Sequence, residues 1–331
     1  MQPQSKPLIG LVVGCLVLLL CLVASISYGA AEISWKTIYE AFTAFNGSAD
    51  HLIIRTVRLP RSLLAILLGA AISVAGAIMQ GITRNPLADP TILGINDGAA
   101  ILVVTAIFVF GSSEPSFYIW SAFVGAGATA IVVYFIASLG RGGITPLNLT
   151  IAGAAISTLL FSLRSAILIL SQRTLEEIRF WLAGSVADAE AAIIWQVLPY
   201  ISIGMILAFA IAKQITILNL GEDVAKGLGQ QTAWVKLTAA VIVLLLAGSA
   251  VAVAGPIGFI GLVVPHIVRI LISIDYYWII PYSAVFGATL LLLSDIVARL
   301  IIQPQELPVG VMTALVGAPL FIYLARTKVK K

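Results

Sequence analysis

Two closely spaced arginines are the residues of this sequence best suited to hold a charged partner. Arg58 and Arg61 flank a Leu-Pro dipeptide in the motif RLPR. This spacing places both guanidinium groups on one side of a turn, where they could form bidentate hydrogen bonds with carboxylates. The alternative is that both side chains extend to lipid headgroups at the membrane surface. A third arginine, Arg299, follows Asp295 by four residues, and this spacing predicts an intrahelical ion pair.

Side chains that could hold a metal or perform catalysis are scarce. No Asp, Glu or Cys stands at ligand spacing from His266, which argues against a metal site there. Cys15 and Cys21 share one apolar run, a pattern that indicates neither a disulfide framework nor a metal site. An intramembrane protease would need a serine paired with a histidine, or two facing aspartates, and His51 is the only other histidine. We predict that the chain is not an enzyme and binds no metal or cofactor.

One further arginine lies inside an apolar run. Arg164 belongs to the stretch STLLFSLRSAILIL, about 10 Å from the end of a predicted membrane span. A charged residue at such depth usually faces the interior of a helix bundle or an aqueous cavity. Extension to the membrane surface is an equally good alternative. If Arg164 faces the outer cavity, it would attract an anionic cargo.

The composition identifies the kind of protein that must position these residues. Of 331 residues, 60% are hydrophobic and only 10% are charged, and the mean hydropathy is +1.07. So few charged residues could not cover a soluble globule of this size, and the pattern is typical of a polytopic membrane protein. The net charge of +4 is best explained by basic loops on one side of a membrane. We expect contact with membrane lipid and no binding of nucleic acid.

Apolar runs predict an all-α integral membrane protein with about ten transmembrane helices. Gly and Pro residues interrupt the eighth run, so we expect it to be a broken or partial crossing. The first run exceeds the usual length of the apolar core of a signal peptide and is expected to be retained. The spans are 8–28, 62–82, 92–111, 117–138, 147–170, 192–212, 234–254, 257–275, 279–302 and 308–325.

The basic tail predicts the orientation. An even number of spans places both termini on the same side, and residues 326–331 contain four Lys or Arg residues. Because cytoplasmic segments carry an excess of Lys and Arg, we expect both termini in the cytoplasm.

Two similar segments suggest an internal repeat. GAAISVAG at 69–76 and GSAVAVAG at 248–255 share five of eight residues, and a proline follows each ten residues later. They lie in spans two and seven, which cross the membrane in opposite directions. This arrangement is typical of the inverted-topology repeats of transporters, although chance similarity between helices rich in small residues is the alternative.

A polar segment, NLGEDVAKGLGQQ at 219–231, separates two of the long apolar runs. Glu222, Asp223 and Lys226 stand at helical spacing, and Val224, Ala225 and Leu228 could form an apolar side. Glycines before and after the charged residues predict a helix of about two turns. The simplest interpretation is a solvated loop helix.

Four motifs resemble those of the FecCD family of permeases from binding-protein-dependent ABC importers. They are LGEDVAKGLG in the polar segment, RLPR, the stretch from Gly69 to RNPLADP, which ends at Pro90, and GPIGFIGLVVPHIVR at 255–269. The resemblance covers nearly the whole chain. It implies a single permease domain, 1–331, in the membrane of a bacterial cell, acting as a dimer with a second copy or a paralogue.

The resemblance also implies roles for particular residues. Segment 219–231 would be the cytoplasmic coupling helix that seats on one of two ATPase subunits, through Gly221, Glu222, Asp223, Val224, Ala225, Lys226, Gly227, Leu228 and Gly229. Asn85 and Leu87 would help to close the inner end of the path. Arg58, Arg61 and Arg299 would dock a soluble or lipid-anchored substrate-binding protein.

The cargo that this resemblance implies is a ferric siderophore, with cobalamin or haem as alternatives. The chain has no GxxxxGK[ST] phosphate-binding loop, so ATP and Mg²⁺ would bind to the separate ATPase. An ion-coupled secondary transporter is the chief alternative from another class. It would need acidic residues or histidines at mid-membrane, whereas Asp97 and Asp295 lie near span ends.

Overall fold

Helices are the only regular elements in the part of the chain that the computed structural model describes, residues 5–29, 33–111, 115–140, 145–187, 190–303 and 305–328. Residues 329–331 of the basic tail lie outside it. The helices are α1 (Ser5–Ser27), α2 (Trp35–Thr43), α3 (Ala49–Thr83), α4 (Ile95–Phe110), α5 (Pro115–Ser138), α6 (Pro146–Leu170), α7 (Gln172–Leu182), α8 (Ala191–Ala210), α9 (Ala212–Asn219), α10 (Glu222–Gly227), α11 (Thr232–Ala254), α12 (Ile260–Leu271), α13 (Tyr276–Leu300) and α14 (Val309–Lys328).

Each of the ten predicted spans contains a helix. In the described part of the chain, seven helices are long and apolar enough to cross a membrane, namely α1, α3, α5, α6, α8, α11 and α13. The apolar stretches of α4, α12 and α14 are shorter. The protein is therefore an all-helical, multi-pass membrane protein, and the prediction of about ten helices is roughly consistent with the structure.

The centre of the bundle is the contact between α3 and α13. A Cβ atom added to Gly69 would overlap the backbone carbonyl of Gly287, so the two helices touch backbone to backbone. Ala71 and Ala75 of α3 are also fully buried, and Gly76 lies against the backbone of Gly261 in α12. Small residues thus allow close helix approach here.

The eighth predicted span, 257–275, forms only the 12-residue helix α12. At 1.5 Å per residue this helix is about 18 Å long, well short of the roughly 30 Å hydrocarbon core. The chain before it is not helical, because Gly255 and Phe259 have positive φ angles of 70° and 69° and Pro256 lies between them. The prediction that this span is broken is confirmed, and a partial crossing of the membrane stays a prediction.

Polar clusters occupy both ends of α13. Its first residue, Tyr276, contacts α9 next to the polar segment 219–231, whereas Asp295 lies near its other terminus. We refer to these two ends of the bundle as the segment end and the Asp295 end. They are about 30 Å apart along α13.

Three helical features were not predicted. Helix α7 follows α6 directly, and α9 continues from α8 after a break at Ile211. The RLPR motif does not form a turn, because α3 begins at Ala49 and runs through it, with a π-helical turn at Ile53–Arg58. Proline is compatible with this position because it lies in the first turn of the regular helix that follows.

The two repeat segments lie in helices of opposite direction. Helix α3 runs toward the segment end, where its Gly81 lies against Ile215 of α9. Helix α11 begins directly after the polar segment and runs away from it. The directions agree with an inverted repeat, and the extent of that repeat stays a prediction.

Candidate functional site

A buried ion-pair network occupies the Asp295 end of the bundle. Arg61 donates to both carboxylate oxygens of Asp295, with a shortest N···O distance of 2.8 Å, and to Oε2 of Glu306 at 2.5 Å. Arg299 lies 3.1 Å from the second oxygen of Asp295. The predicted intrahelical pair of Asp295 and Arg299 is therefore confirmed, and Asp295 is shared with α3.

The same end of the bundle uses its arginines to hold the terminus of α1. Arg58 donates to the carbonyl oxygens of Ile26 and Ser27, each at 2.8 Å. Arg299 donates to the carbonyl of Ser25 at 3.1 Å and to its hydroxyl at 2.7 Å. The last carbonyls of a helix have no hydrogen-bond donor within it. These guanidinium groups therefore donate to carbonyl oxygens that would otherwise be buried without a donor.

The three arginines with a predicted docking role are buried in this structure. The exposed fractions are 5% for Arg58, 6% for Arg61 and 3% for Arg299. Taking a charge out of water is costly unless it is paired and hydrogen-bonded, and internal acceptors meet that requirement here. A docking role stays a prediction, and it would require these side chains to exchange partners.

Sequence reasoning missed Glu306 as a member of this network. Its side chain is 31% exposed, whereas those of Arg61 and Asp295 are 7% and 0% exposed. Glu306 lies between α13 and α14, 245 residues from Arg61. Its position shortly after Asp295 and Arg299 indicated that it could join a charged cluster. Nothing in the local sequence indicated which arginine it would pair with.

The candidate gate motif RNPLADP folds into two turns capped by side chains. Helix α3 ends with Arg84 in the left-handed conformation, at φ 50°. Asn85 then accepts a hydrogen bond from the Leu87 backbone N–H at 3.0 Å, and Asp89 accepts one from Thr91 N–H at 3.0 Å. These are the short-range contacts by which Asn and Asp favour turns. The gating role of Asn85 and Leu87 stays a prediction.

The end of this motif lies inside the bundle, near the middle of α3. A Cβ atom added to Gly261 would lie 3.0 Å from both Asp89 Oδ2 and the carbonyl oxygen of Ile72. Ile72 precedes the last residue of α3, Thr83, by eleven positions, which is about 16 Å of helix. The chain therefore turns back into the bundle after α3. This return explains why α4 is short.

Arg164 is paired within the bundle. Its Nη1 atom lies 3.6 Å from Oδ1 of Asp97, and its guanidinium carbon lies 5.0 Å from the centre of the Phe161 ring. The side chains of Arg164 and Asp97 are 15% and 28% exposed. Sequence reasoning missed this partner, although two opposite charges within apolar runs were a usable signal. Attraction of an anionic cargo by Arg164 stays a prediction.

The helix that carries Arg164 is the most exposed of the spanning helices. Among the residues described for α6, only Leu149, Ala152 and Gly153 are buried. Four of its hydroxyl groups donate hydrogen bonds to the backbone carbonyls four residues earlier, at 2.8–2.9 Å, so these polar groups are satisfied within the helix. These residues are Thr150, Thr158, Ser162 and Ser165.

The polar segment forms the predicted short helix, α10. Gly221 precedes it with φ 135° and Gly229 follows it with φ 80°, conformations that glycine adopts at little cost. Ala225 is fully buried, whereas Val224 and Leu228 are exposed. Part of the predicted apolar side is therefore exposed, because only Ala225 faces the bundle.

Glu222 holds α10 against the start of α11. Its carboxylate lies 2.8 Å from Nζ of Lys236, 3.3 Å from Nζ of Lys226 and 3.3 Å from the hydroxyl of Thr232. The hydrogen bond from Lys236, supported by Lys226, lowers the pKa of the Glu222 carboxyl below its usual value. Glu222 thus fixes the segment within this chain, a role that the sequence did not indicate.

No group of three or more His, Cys, Asp or Glu side chains that could hold a metal ion occurs among the described residues. The expectation that the chain binds no cofactor stays a prediction.

Comparisons with known proteins agree with the motifs. A profile of the FecCD transport family matches residues 17–327. The chain is 47% identical over 329 residues to the Probable siderophore transport system permease protein YfiZ of Bacillus subtilis, with 99% of both chains covered. It is 48% identical over 312 residues to the iron(3+)-hydroxamate import system permease protein FhuB of the same organism, with 93% of this chain and 81% of that protein covered.

A solved structure supports the same conclusion. The chain is similar to a metal-chelate type ABC transporter in an inward-facing conformation, with a TM-score of 0.85, 30% identity and coverage of 96% and 98% of the two chains. The residues described above therefore lie in a fold shared with such a transporter. The chain belongs to the FecCD transport family.

Proposed function

We propose that this chain is the membrane-spanning permease subunit of a binding-protein-dependent ABC importer that carries a ferric siderophore into a bacterial cell. Membership of the FecCD family supports this proposal. So does the similarity to proteins described as siderophore and iron(3+)-hydroxamate permeases and to a metal-chelate type transporter. The chain itself performs no catalysis, and ATP with Mg²⁺ binds to two separate ATPase subunits.

The observation that carries the proposal is an exposed apolar stripe on the polar segment. Leu220, Val224 and Leu228 stand four residues apart and are 66%, 48% and 66% exposed. Their neighbours Asp223 and Lys226 are charged, so this stripe belongs to an aqueous surface. An exposed apolar patch rimmed by polar residues is typical of a protein interface. We assign the stripe to the ATPase, with the segment end in the cytoplasm.

Charge insertion into this stripe tests the proposal. Val224→Glu combined with Leu228→Glu should release the ATPase from the detergent-purified complex and abolish uptake of an iron-55 trihydroxamate complex, because burying unpaired carboxylates in an interface is costly. Lys213→Gln, a change at an exposed residue of the neighbouring helix α9, is the matched control and should retain both. Full ATPase retention and uptake in the double variant would contradict the assignment.

The path for the chelate runs between this chain and a second permease subunit, identical or paralogous. The exposure of α6 and the partial exposure of the Arg164–Asp97 pair support this placement. A charged pair within a spanning region faces protein or water rather than lipid, so this surface belongs to a subunit contact or to an aqueous path. Asn85 and Leu87 would close the cytoplasmic end of that path.

The Asp295 end faces outward and receives the binding protein. Arg58, Arg61 and Arg299 supply positive charge there, but Glu306 already occupies one side of Arg61. A carboxylate from the binding protein would therefore compete with Glu306. Because Glu306 is the most exposed member of the network, it is the member that could leave at the lowest cost.

A further inference from the structure

A threonine hydroxyl joins the helix before the polar segment to the start of α13. Thr216 Oγ1 lies 3.0 Å from Oδ1 of Asp275 and 3.1 Å from the carbonyl oxygen of Ala212. A hydroxyl has one proton, and the carboxylate is the stronger acceptor. Thr216 Oγ1 also accepts a hydrogen bond from the Tyr276 backbone N–H at 3.0 Å. The hydroxyl therefore both donates to and accepts from the first turn of α13.

This junction also includes α3. Gly81, in the last turn of α3, has no room for a side chain because Ile215 of α9 and Tyr276 of α13 both lie against it. Tyr276 and Ile215 are fully buried. Three helices therefore meet at one site, and the polar side chain of Thr216 connects two of them.

Contacts on the other side of α9 connect it to the polar segment. The Gln230 side chain donates to the Gln214 carbonyl at 3.0 Å, and the Gly221 N–H donates to the Leu218 carbonyl at 3.1 Å. Glu222 in turn is held by Lys236. A displacement of the polar segment is thus transmitted directly to α9.

Helices α3 and α13 are joined along their length and at their far end. The Gly69–Gly287 contact brings their backbones together midway, and the Arg61–Asp295 pair joins them about 30 Å from the Thr216 junction. Close packing at Gly81 and Gly69, together with charged hydrogen bonds at the Asp295 end, favours movement of the two helices as one body. Force that reaches Asp275 therefore reaches the Asp295 end.

We propose that Thr216 is a positioning residue for energy coupling, whose hydroxyl transmits movement of the polar segment to the α3–α13 pair. This inference rests on the proposed function as an ATP-driven importer. The hydroxyl acts through Asp275 and Tyr276 and touches neither cargo nor nucleotide. Loss of the hydroxyl lowers the amount of cargo transported per ATP hydrolysed.

The test is uptake per ATP hydrolysed in proteoliposomes that contain the complete complex with its ATPase and binding protein. The probe is an iron-55 trihydroxamate complex. Thr216→Val keeps the shape of the side chain and removes the hydroxyl, so we expect the ratio to fall about tenfold, the size expected for loss of a hydrogen bond to a charged group. Thr216→Ser retains the hydroxyl and should keep the ratio within about twofold of the wild type.

Two further variants serve as controls. Thr289→Val, in α13, removes a hydroxyl that donates only to the Val285 carbonyl, and it should leave the ratio unchanged. Asp275→Ala removes the carboxylate that accepts the Thr216 hydrogen bond. The double variant with Thr216→Val should have an uptake-to-hydrolysis ratio no lower than that of the more impaired single variant. An unchanged ratio in Thr216→Val, or an equal fall in Thr216→Ser, would overturn the inference.

A distance measurement covers the case in which a variant assembles poorly. Spin labels at the exposed positions Asp223 and Tyr277 report the polar segment and the start of α13. Their separation should stay constant between nucleotide-free and ATP-vanadate states in the wild type and change between these states in Thr216→Val. Equal behaviour of both proteins would refute the role of the hydroxyl. Absence of ATP-driven uptake in the wild type would instead refute the proposed function.

Discussion

Neutralising Asp295 is the most direct test of the buried arginine network. Asp295→Asn retains the shape of the side chain and removes its charge. Asp295 is fully buried and accepts from Arg61 at 2.8–3.2 Å, with Arg299 at 3.1 Å. The variant leaves two buried guanidinium groups with one carboxylate, that of Glu306, within reach of Arg61.

The size of the effect follows from this burial. Removing one partner of a buried ion pair costs about 3–5 kcal/mol. At about 2.1 cal/mol/K per residue, the unfolding entropy of a 331-residue chain is about 0.7 kcal/mol/K. We therefore expect the melting temperature of the Asp295→Asn chain to fall by about 4–7 °C. Glu306→Gln affects a partly exposed pair and should cost about 1 kcal/mol or less.

The assay is the loss of the monodisperse gel-filtration peak after heating of the detergent-purified chain. Asp223→Asn, at an exposed carboxylate, is the control and should shift the midpoint by less than about 1 °C. If the arginines were exposed docking charges, Asp295→Asn would leave the midpoint unchanged. A shift within 1 °C of the control would therefore refute our account of the network.

Three further predictions concern other parts of the structure. Gly76→Ala should lower the melting temperature strongly, because a Cβ atom there overlaps the backbone of α12. Gly227→Ala is the control and should leave the melting temperature unchanged, because no atom lies within 4 Å of the added Cβ atom. Equal melting temperatures of the two variants would contradict this packing. Arg164→Leu should reduce uptake of anionic ferric chelates more than neutral ones, and added Asp97→Asn should restore part of it; equal loss would indicate a structural role. Because the pKa of Glu222 is lowered, its contacts stabilise the polar segment above the ordinary carboxyl pKa of about 4.3 and are lost as the pH falls below it. The protection of the backbone amides of residues 219–231, relative to their intrinsic exchange rates, should therefore fall as the pH falls below this value in the wild type. In Glu222→Gln this protection should not change with pH in that way.

Local patterns were sufficient for most of the architecture. Long apolar runs predicted all ten spans that contain a helix. This was possible because a helix that crosses a bilayer needs about 20 apolar residues, whatever its neighbours in the fold are. The glycines around 219–231 predicted α10, and Gly255 to Pro265 predicted the broken eighth span. The spacing of Asp295 and Arg299 predicted their pair. These features depend on neighbours within a few residues.

Contacts between distant residues were decided only by the tertiary structure. Arg61 and Asp295 are 234 residues apart, and nothing in RLPR indicates that α13 would bring a carboxylate to it. The Arg164–Asp97 pair and the return of RNPLADP to the level of Ile72 likewise depend on how the helices pack. A motif determines which groups a segment offers, but whether an arginine faces solvent or a buried carboxylate depends on which helix packs beside it. The sequence alone therefore determined the membrane class, the helices and the family, whereas packing determined which charges are buried.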